Sequence, residues 1–349
     1  MNKTDVLHVN SDTCYDIIME NGFQGLGEHV RNVLVCAHSV LIVSDEKVYG
    51  LYGDEVKKTL TECGFEVKTH IAEALCESKK TQSTVTEIYK SAIDANLTRH
   101  DAILALGGGI VGDVAGFAAA TFMRGVNFVQ VPTTLVAQTD SSVGGKCGIN
   151  FDGVKNLIGS FYNPALVYIS PHVLCSLPQR ERCAGMGEVI KYGCIRDASL
   201  FSDLASGDFD ISDVILRCLR IKRAVTEKDS HDLGLRHILN FGHTVGHALE
   251  EYTSGEILHG EGVAYGMYAM ALAGERLKIT AQGTAKSIKD LCEKHGLKTD
   301  YTKYFGFEKY ISRDKKRTAD GIKAVFLTEI GSAVIREISV AELTGLLYG

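Results

Sequence analysis

Short apolar runs rich in β-branched residues alternate with amphipathic stretches through the first half of the chain. Residues 40–44, 66–71, 102–106, 128–131 and 166–170 read as strands, while residues 54–63 and 81–95 between them repeat their apolar positions with helical period. Alternation of this kind builds a parallel sheet covered by helices, and such sheets take ligands at the carboxyl ends of their strands. From about Pro171 the pattern changes to long helical segments at 211–227, 243–252, 263–277 and 285–295. The expected architecture is an α/β domain with a parallel sheet over residues 1–172, followed by an all-α domain over residues 173–349.

Composition narrows the function classes. The 349 residues are 45% hydrophobic and 23% charged, proportions that exclude a disordered or fibrous chain. The formal net charge is −6 and no basic stripe appears, so a nucleic-acid partner is not expected. The longest nearly apolar stretch, residues 114–123, is far shorter than the ~18 residues a membrane span needs. The opening Met-Asn-Lys-Thr-Asp has no apolar signal core, which predicts a cytoplasmic protein without membrane attachment. Ten scattered cysteines without a CxxC pair argue against both a disulfide framework and a cysteine zinc site.

The strand at 102–106 runs into Gly107-Gly-Gly-Ile-Val-Gly-Asp113 and then an apolar helix. Glycines at 107, 109 and 112 would let the backbone approach a pyrophosphate, with the helix amino terminus supplying donors and positive dipole. The same glycines would also suit a tight strand–helix turn, and the pattern alone does not choose. Several strands precede the loop and Pro132 stands where an ordinary dinucleotide fingerprint has its acid, so this is not an ordinary Rossmann domain. Asp45 directly follows a strand, where an acid can bind a ribose or adenine donor or can cap a helix. Glu77 and Lys80 offer an acid and a base three apart, suited to ribose hydroxyls or to a solvated loop.

A polar segment follows. Thr133 and Thr134 come after a strand, residues 140–150 place Asp140 and Lys146 among glycines, and Lys155-Asn156 comes shortly after. Lysines beside flexible glycines can reach phosphate as point charges. The surrounding sequence is too apolar for a plain surface loop, which favours a binding site.

Three of the chain's 12 histidines fall between 243 and 259, among glycines. His243 and His247 are i and i+4 on one helical face and could both bind zinc. A catalytic zinc takes three protein ligands from histidine and carboxylate and keeps one position open, and Glu188, His243 and His259 would form such a set with His247 as an acid–base or anion-binding group. Spacing alone does not choose which two histidines ligate. Lys191, Lys222, Arg236 and the basic knot at 314–317 bring positive charge to the same region, which suits a small substrate with two anionic ends. For Lys222 taken alone, a solvated helix face is the better reading.

Together, residues 107–113, Arg124, 132–134, 140–146, Lys155-Asn156, 187–193, 235–247 and 259–261 resemble 3-dehydroquinate synthase, in order and over nearly the whole chain. The resemblance implies an NAD-binding α/β domain, an α-helical metal- and substrate-binding domain and a homodimer. It implies NAD and a divalent metal, zinc with cobalt as an alternative, as cofactors, and a small phosphorylated sugar acid as substrate. The implied reaction converts 3-deoxy-D-arabino-heptulosonate 7-phosphate into 3-dehydroquinate and phosphate. It proceeds by transient oxidation at C5, phosphate elimination, re-reduction, ring opening and aldol closure. By the resemblance, Asp45, Glu77, Lys80, Gly109, Ile110, Val111, Gly112, Asp113, Thr133, Thr134, Lys146, Lys155 and Ser176 would address the nucleotide, and Glu188, His243 and His259 the metal. Lys222 and Arg236 would hold the carboxylate. Lys146, Asn156, Lys316 or its neighbour Lys315, and the partner subunit's Arg124 would address the phosphate, while Asp140, Lys191, Asn240 and His247 would position hydroxyls or relay protons.

The chain departs from the family pattern at Ser230, where a glutamate is expected, and at Cys76, where glycine usually precedes the acid. A related sugar-phosphate cyclase or a metal-dependent alcohol or glycerol dehydrogenase are the alternatives. The first lacks a substrate carboxylate to employ Arg236, and the second has no use for the lysine–arginine cluster.

Overall fold

The computed structural model describes residues 4–73, 75–311 and 321–348. The chain divides into two compact units, Met1–Leu177 and Pro178–Gly349.

The first unit is built on a seven-stranded sheet. Its strands are β1 (Asp5–Val9), β2 (Tyr15–Met19), β3 (Ser39–Asp45), β4 (Glu66–Ala72), β5 (Ala102–Gly107), β6 (Asn127–Pro132) and β9 (Leu166–Ile169), in the order β1-β2-β9-β6-β5-β3-β4. All pairings are parallel except the β1–β2 hairpin. The continuous apolar runs at β3 and β5 follow from burial on both faces. Val40, Ile42, Leu104 and Leu106 join the core under α1 (Leu26–Val33) and α3 (Asp54–Glu62), which follows the single turn α2 (Glu46–Val48). Their neighbours Leu41, Val43, Ile103 and Ala105 turn to the opposite face, under α4 (Gln82–Asp94) and α5 (Gly109–Thr121). The predicted strands and helices of this half thus fall within a residue or two of their observed bounds.

The polar segment after β6 is more ordered than a binding loop. Residues 146–161 form an antiparallel hairpin, β7 (Lys146–Phe151) and β8 (Val154–Phe161), closed by Asp152 and Gly153 at φ 49° and 75°. Asp-Gly with both φ positive is the two-residue turn that matches the twist of paired strands.

The second unit is helical as the sequence predicts: α6 (Gln179–Arg196), α7 (Ala198–Ser206), α8 (Ile211–Thr226), α9 (His243–Tyr252), α10 (His259–Arg276), α11 (Thr284–Lys294), the single turn α12 (Glu308–Ile311) and α13 (Val340–Tyr348). One addition goes beyond the all-α expectation, an antiparallel hairpin of β10 (Ile322–Glu329) and β11 (Ser332–Ile338). Three helices touch backbone to backbone through glycines. A Cβ added to Gly260 on α10 would lie 1.7 Å from the Ala184 carbonyl of α6, and one on Gly266 would lie 1.8 Å from the Gly242 carbonyl at the start of α9. A Cβ on Gly246 of α9 would meet Gly262 of α10 at 2.8 Å. Only residues without a side chain permit this approach, and each contact lies beside a residue singled out for metal binding: Glu188, His243 or His259.

Candidate active site

Each unit carries a cluster of the residues anticipated from sequence. In the first, β5 ends at Gly107 and α5 starts at Gly109, with no side chain capping its amino terminus. The opening amides of a helix are intrinsically unpaired and form an anion site. Side chains crowd the loop: Cβ atoms at Gly108, Gly109 and Gly112 would stand 3.0 Å from Thr134 Cγ2, 2.9 Å from Ser141 Oγ and 2.8 Å from Gln130 Oε1. Thr133 follows β6, is 5% exposed, and its buried Oγ1 has no hydrogen-bond partner among the described residues. A buried hydroxyl in that condition costs stability unless something binds it. These features fit a nucleotide's pyrophosphate and adjoining groups.

The remaining first-unit residues have definite local tasks. Asp45 Oδ1 accepts from the Val48 amide at 2.9 Å, the helix-cap option of its two readings, and Thr134 Oγ1 likewise accepts from Ala137 N at 3.2 Å. Lys80 is buried and turned inward, its ammonium bonded to Asp113 Oδ2 and Asn156 Oδ1. Glu77 Oε1 accepts from Asn150 Nδ2 at 2.8 Å. Lys146, Lys155 and Asn156 lie exposed on the hairpin, and Asp140 sits half-buried on the wide turn Ala137–Ser141. Ser176 Oγ accepts from Tyr52 at 2.6 Å. Arg124 stands exposed in a turn where Met123, Arg124 and Gly125 have φ 50°, 68° and 120°.

In the second unit, Glu188 is fully buried on α6. Its Oε1 lies 3.1 Å from His259 Nε2 and 3.4 Å from His243 Nε2, and its Oε2 is bonded to the buried Lys191 ammonium one helical turn on. Two ligands at 2.0–2.1 Å on a tetrahedral zinc stand roughly 3.3 Å apart, so these separations are those of groups sharing one ion. His243 Nδ1 contacts the Phe241 carbonyl at 3.2 Å, and His259 Nδ1 contacts Glu250 Oε1 at 2.9 Å. Each Nδ1–H is thereby engaged outward and each Nε2 aimed inward, the tautomer a metal ligand needs. The trio fits a divalent cation.

The electrostatics agree. Burial holds His243 well below its ordinary value, against the pull of Glu188, so it is neutral and able to donate its lone pair. Burial also opposes charge on His259, but Glu250 and Glu188 overrule it and raise this histidine to about 10. His247, exposed one turn beyond His243, also falls within range: one ligand atom from each of His243, His247 and His259 lies within 4.8 Å of the others. The Glu188 separations, at 3.1 and 3.4 Å, are the tighter ones.

Lys222 and Arg236 are both buried, at 5% and 3% exposure, which reverses the solvated reading of Lys222. Arg236 ends a loop wound on Asp229, whose carboxylate accepts from the amides of Leu233 at 2.9 Å, Gly234 at 2.7 Å and Arg236 at 2.9 Å. Burial works against charge on Asp229, but these three amides keep it below the usual carboxylate range. Asn240 is half-buried just before α9. Lys315 and Lys316 lie outside the described residues. Sequence reasoning passed over Glu250, although its place at i+7 from His243 sets it on the same face as both α9 histidines and was legible. It also passed over Asp229 and Asn150, whose tasks depend on loop and hairpin closure.

Two family models match the chain: 3-dehydroquinate synthase N-terminal over residues 70–184 and 3-dehydroquinate synthase C-terminal over residues 185–317. The chain is 42% identical over 341 residues to the 3-dehydroquinate synthase of Streptococcus thermophilus, covering 94% of this chain and 95% of that one. To that of Clostridium acetobutylicum it is 40% identical over 338 residues, covering 94% of each. It is also similar to the crystal structure of 2-deoxy-scyllo-inosose synthase complexed with carbaglucose-6-phosphate, NAD+ and Co2+. That match has a TM-score of 0.88 and 25% identity, and covers 98% of this chain and 99% of that one.

Proposed function

This chain belongs to the 3-dehydroquinate synthase family, and from the site it carries we propose that it converts 3-deoxy-D-arabino-heptulosonate 7-phosphate into 3-dehydroquinate and phosphate. It acts as an NAD- and divalent-metal-dependent carbon–oxygen lyase in cytoplasmic aromatic biosynthesis. The observation that carries this reading is the convergence of Glu188 Oε1 on two inward-facing imidazole nitrogens at 3.1 and 3.4 Å.

When bound, NAD would supply an acceptor that takes a hydride from C5 and returns it, and the cation would supply Lewis acidity toward the substrate's hydroxyl and ketone oxygens. The chain's own residues do the rest. The amides opening α5 bind the pyrophosphate, and Thr133 offers its buried hydroxyl. Glu188, His243 and His259 hold the cation, and Lys191 balances the buried Glu188 charge. Arg236, fixed by the Asp229 loop, grips the substrate carboxylate through its planar fork, and Lys222 adds a second positive charge for it. Lys146 and Asn156 bind the phosphate. Asp140, Asn240 and His247 orient hydroxyls, and exposed His247 exchanges protons during elimination and closure.

Homodimerisation belongs to the same proposal. In it the exposed Arg124 of one subunit serves the site of the other, as the family resemblance implies. Among the described residues, no helix is long and apolar enough to cross a membrane.

A substrate panel tests the reading. Purified protein with NAD and zinc is given the heptulosonate phosphate, glucose 6-phosphate and glycerol in separate reactions. One 3-dehydroquinate per phosphate from the first, with no cyclitol from the second and no NADH from the third, is the expected pattern. Preferred turnover of either of the other two would overturn it.

A further inference from the structure

The β7–β8 ladder breaks at Asn150. Ile149 pairs with Ile158 and Phe151 with Val154, which leaves Asn150 out of the regular register. Its polar groups are used elsewhere. Nδ2 donates to Glu77 Oε1 at 2.8 Å and to the Glu77 carbonyl at 3.1 Å, Oδ1 accepts from the Asn156 amide at 2.9 Å, and the Asn150 backbone amide donates to the Lys80 carbonyl at 2.8 Å. A carboxamide carries two donor hydrogens and an acceptor, so one side chain can tie both strands of the hairpin to the turn at Glu77 where a carboxylate or hydroxyl could not.

The tied residues matter for binding. Glu77 is assigned to the nucleotide, and Asn156 to the substrate phosphate. Asn156 stands at φ 51°, in the left-handed region that asparagine tolerates, and Asn150 Oδ1 holds its amide there. Lys80 lies behind the joint, linking Asn156 Oδ1 to Asp113 of α5.

We propose that Asn150 is a positioning residue through which nucleotide binding and phosphate binding become interdependent. The inference rests on the proposed function for the roles of Glu77 and Asn156. A ligand that orders Glu77 fixes Asn150, and with it the amide and conformation of Asn156. The second ligand then meets a hairpin already arranged and bears less of the ordering cost. Because coupling is reciprocal, phosphate tightens NAD by the same factor that NAD tightens phosphate.

The test titrates the full-length protein with NAD by calorimetry, with and without saturating inorganic phosphate, at ionic strength matched with chloride. Wild type should bind NAD at least about fivefold more tightly with phosphate present, the lower end of ordinary coupling. Asn150→Asp is nearly isosteric and keeps the acceptor for Asn156, but sets a carboxylate against that of Glu77. Asn150→Ala removes all side-chain ties. In either folded variant the factor should fall to within about twofold of unity. A merely structural role would weaken both ligands while leaving their ratio unchanged, and that result overturns the inference. So does NAD binding in wild type that phosphate does not alter. Failure of wild type to bind NAD at all would instead overturn the proposed function.

Discussion

Replacing Gly260 with alanine tests whether glycine-mediated helix contacts build the metal site. The new Cβ would stand 1.7 Å from the Ala184 carbonyl oxygen, and real Cβ atoms essentially never come within 3.0 Å of such a neighbour. Backbone must therefore part by about 1.3 Å, because no side-chain rotation relieves a contact with a carbonyl inside a helix. Ala184 is one turn before Glu188, and Gly260 directly follows His259. The displacement thus acts on the 3.1 Å separation of Glu188 Oε1 and His259 Nε2. Metal–ligand distances tolerate only about 0.2 Å, so zinc affinity should fall 100-fold or more. Overpacking adds roughly 1–3 kcal/mol of destabilisation. Zinc per chain after purification, a chelator-competition affinity and the circular-dichroism melt read the three effects. Gly345→Ala, with nothing within 4 Å of its added Cβ, is the control and should keep its zinc. A folded Gly260→Ala with wild-type zinc affinity would refute the reasoning.

Other residues give separate tests. His243→Ala and His259→Ala should purify metal-poor, whereas His247→Ala should keep near-stoichiometric zinc and turn over slowly; metal analysis showing the reverse for His247 and His259 would reassign the ligands. Glu250→Gln should weaken zinc about 10- to 100-fold by loosening His259, and unchanged affinity would leave Glu250 without that role. Because His259 is raised to about 10 in the metal-free protein, zinc binding at pH 8 should release about one proton, measured by calorimetry in buffers of different ionisation enthalpy; no release would mean His259 is already neutral. Asp197 is opposed by burial but held down to about 2 by Arg217, Ser199 and the Leu200 amide. Its lowered value stabilises the fold above the unfolded carboxylate's value and is lost as pH falls toward 2. Asp197→Asn should therefore lose about 2 kcal/mol at pH 7 in urea unfolding, with the gap narrowing below pH 4.

The central strands and most helices were legible because burial on two faces, or on one helical stripe, writes itself into the apolar pattern. The hairpins were not. β1 and β2 are five residues each, and β7–β8 carries the lysines and amides that read as a loop, although Asp152-Gly153 announced its turn. The helix expected from 263 begins at His259, since Gly260 and Gly262 look unfavourable for a helix until the close approach of its neighbours is known. Glu188 and the three histidines could be nominated from residue type and spacing, and the resemblance selected His243 and His259 among them, but the close approach of their helices depends on those same glycine contacts. The burial of Lys222 was hidden because a single lysine on an amphipathic helix carries no mark of what faces it.

Phosphate release followed together with NADH absorbance, at an NAD concentration well below that of the heptulosonate phosphate, tests the central claim most directly. Transient oxidation that is reversed within each turnover predicts many phosphates released per NAD, dependence on NAD throughout, and no NADH accumulating at any time. One NADH formed per substrate consumed, or phosphate release that continues when NAD is removed from the protein, would contradict it.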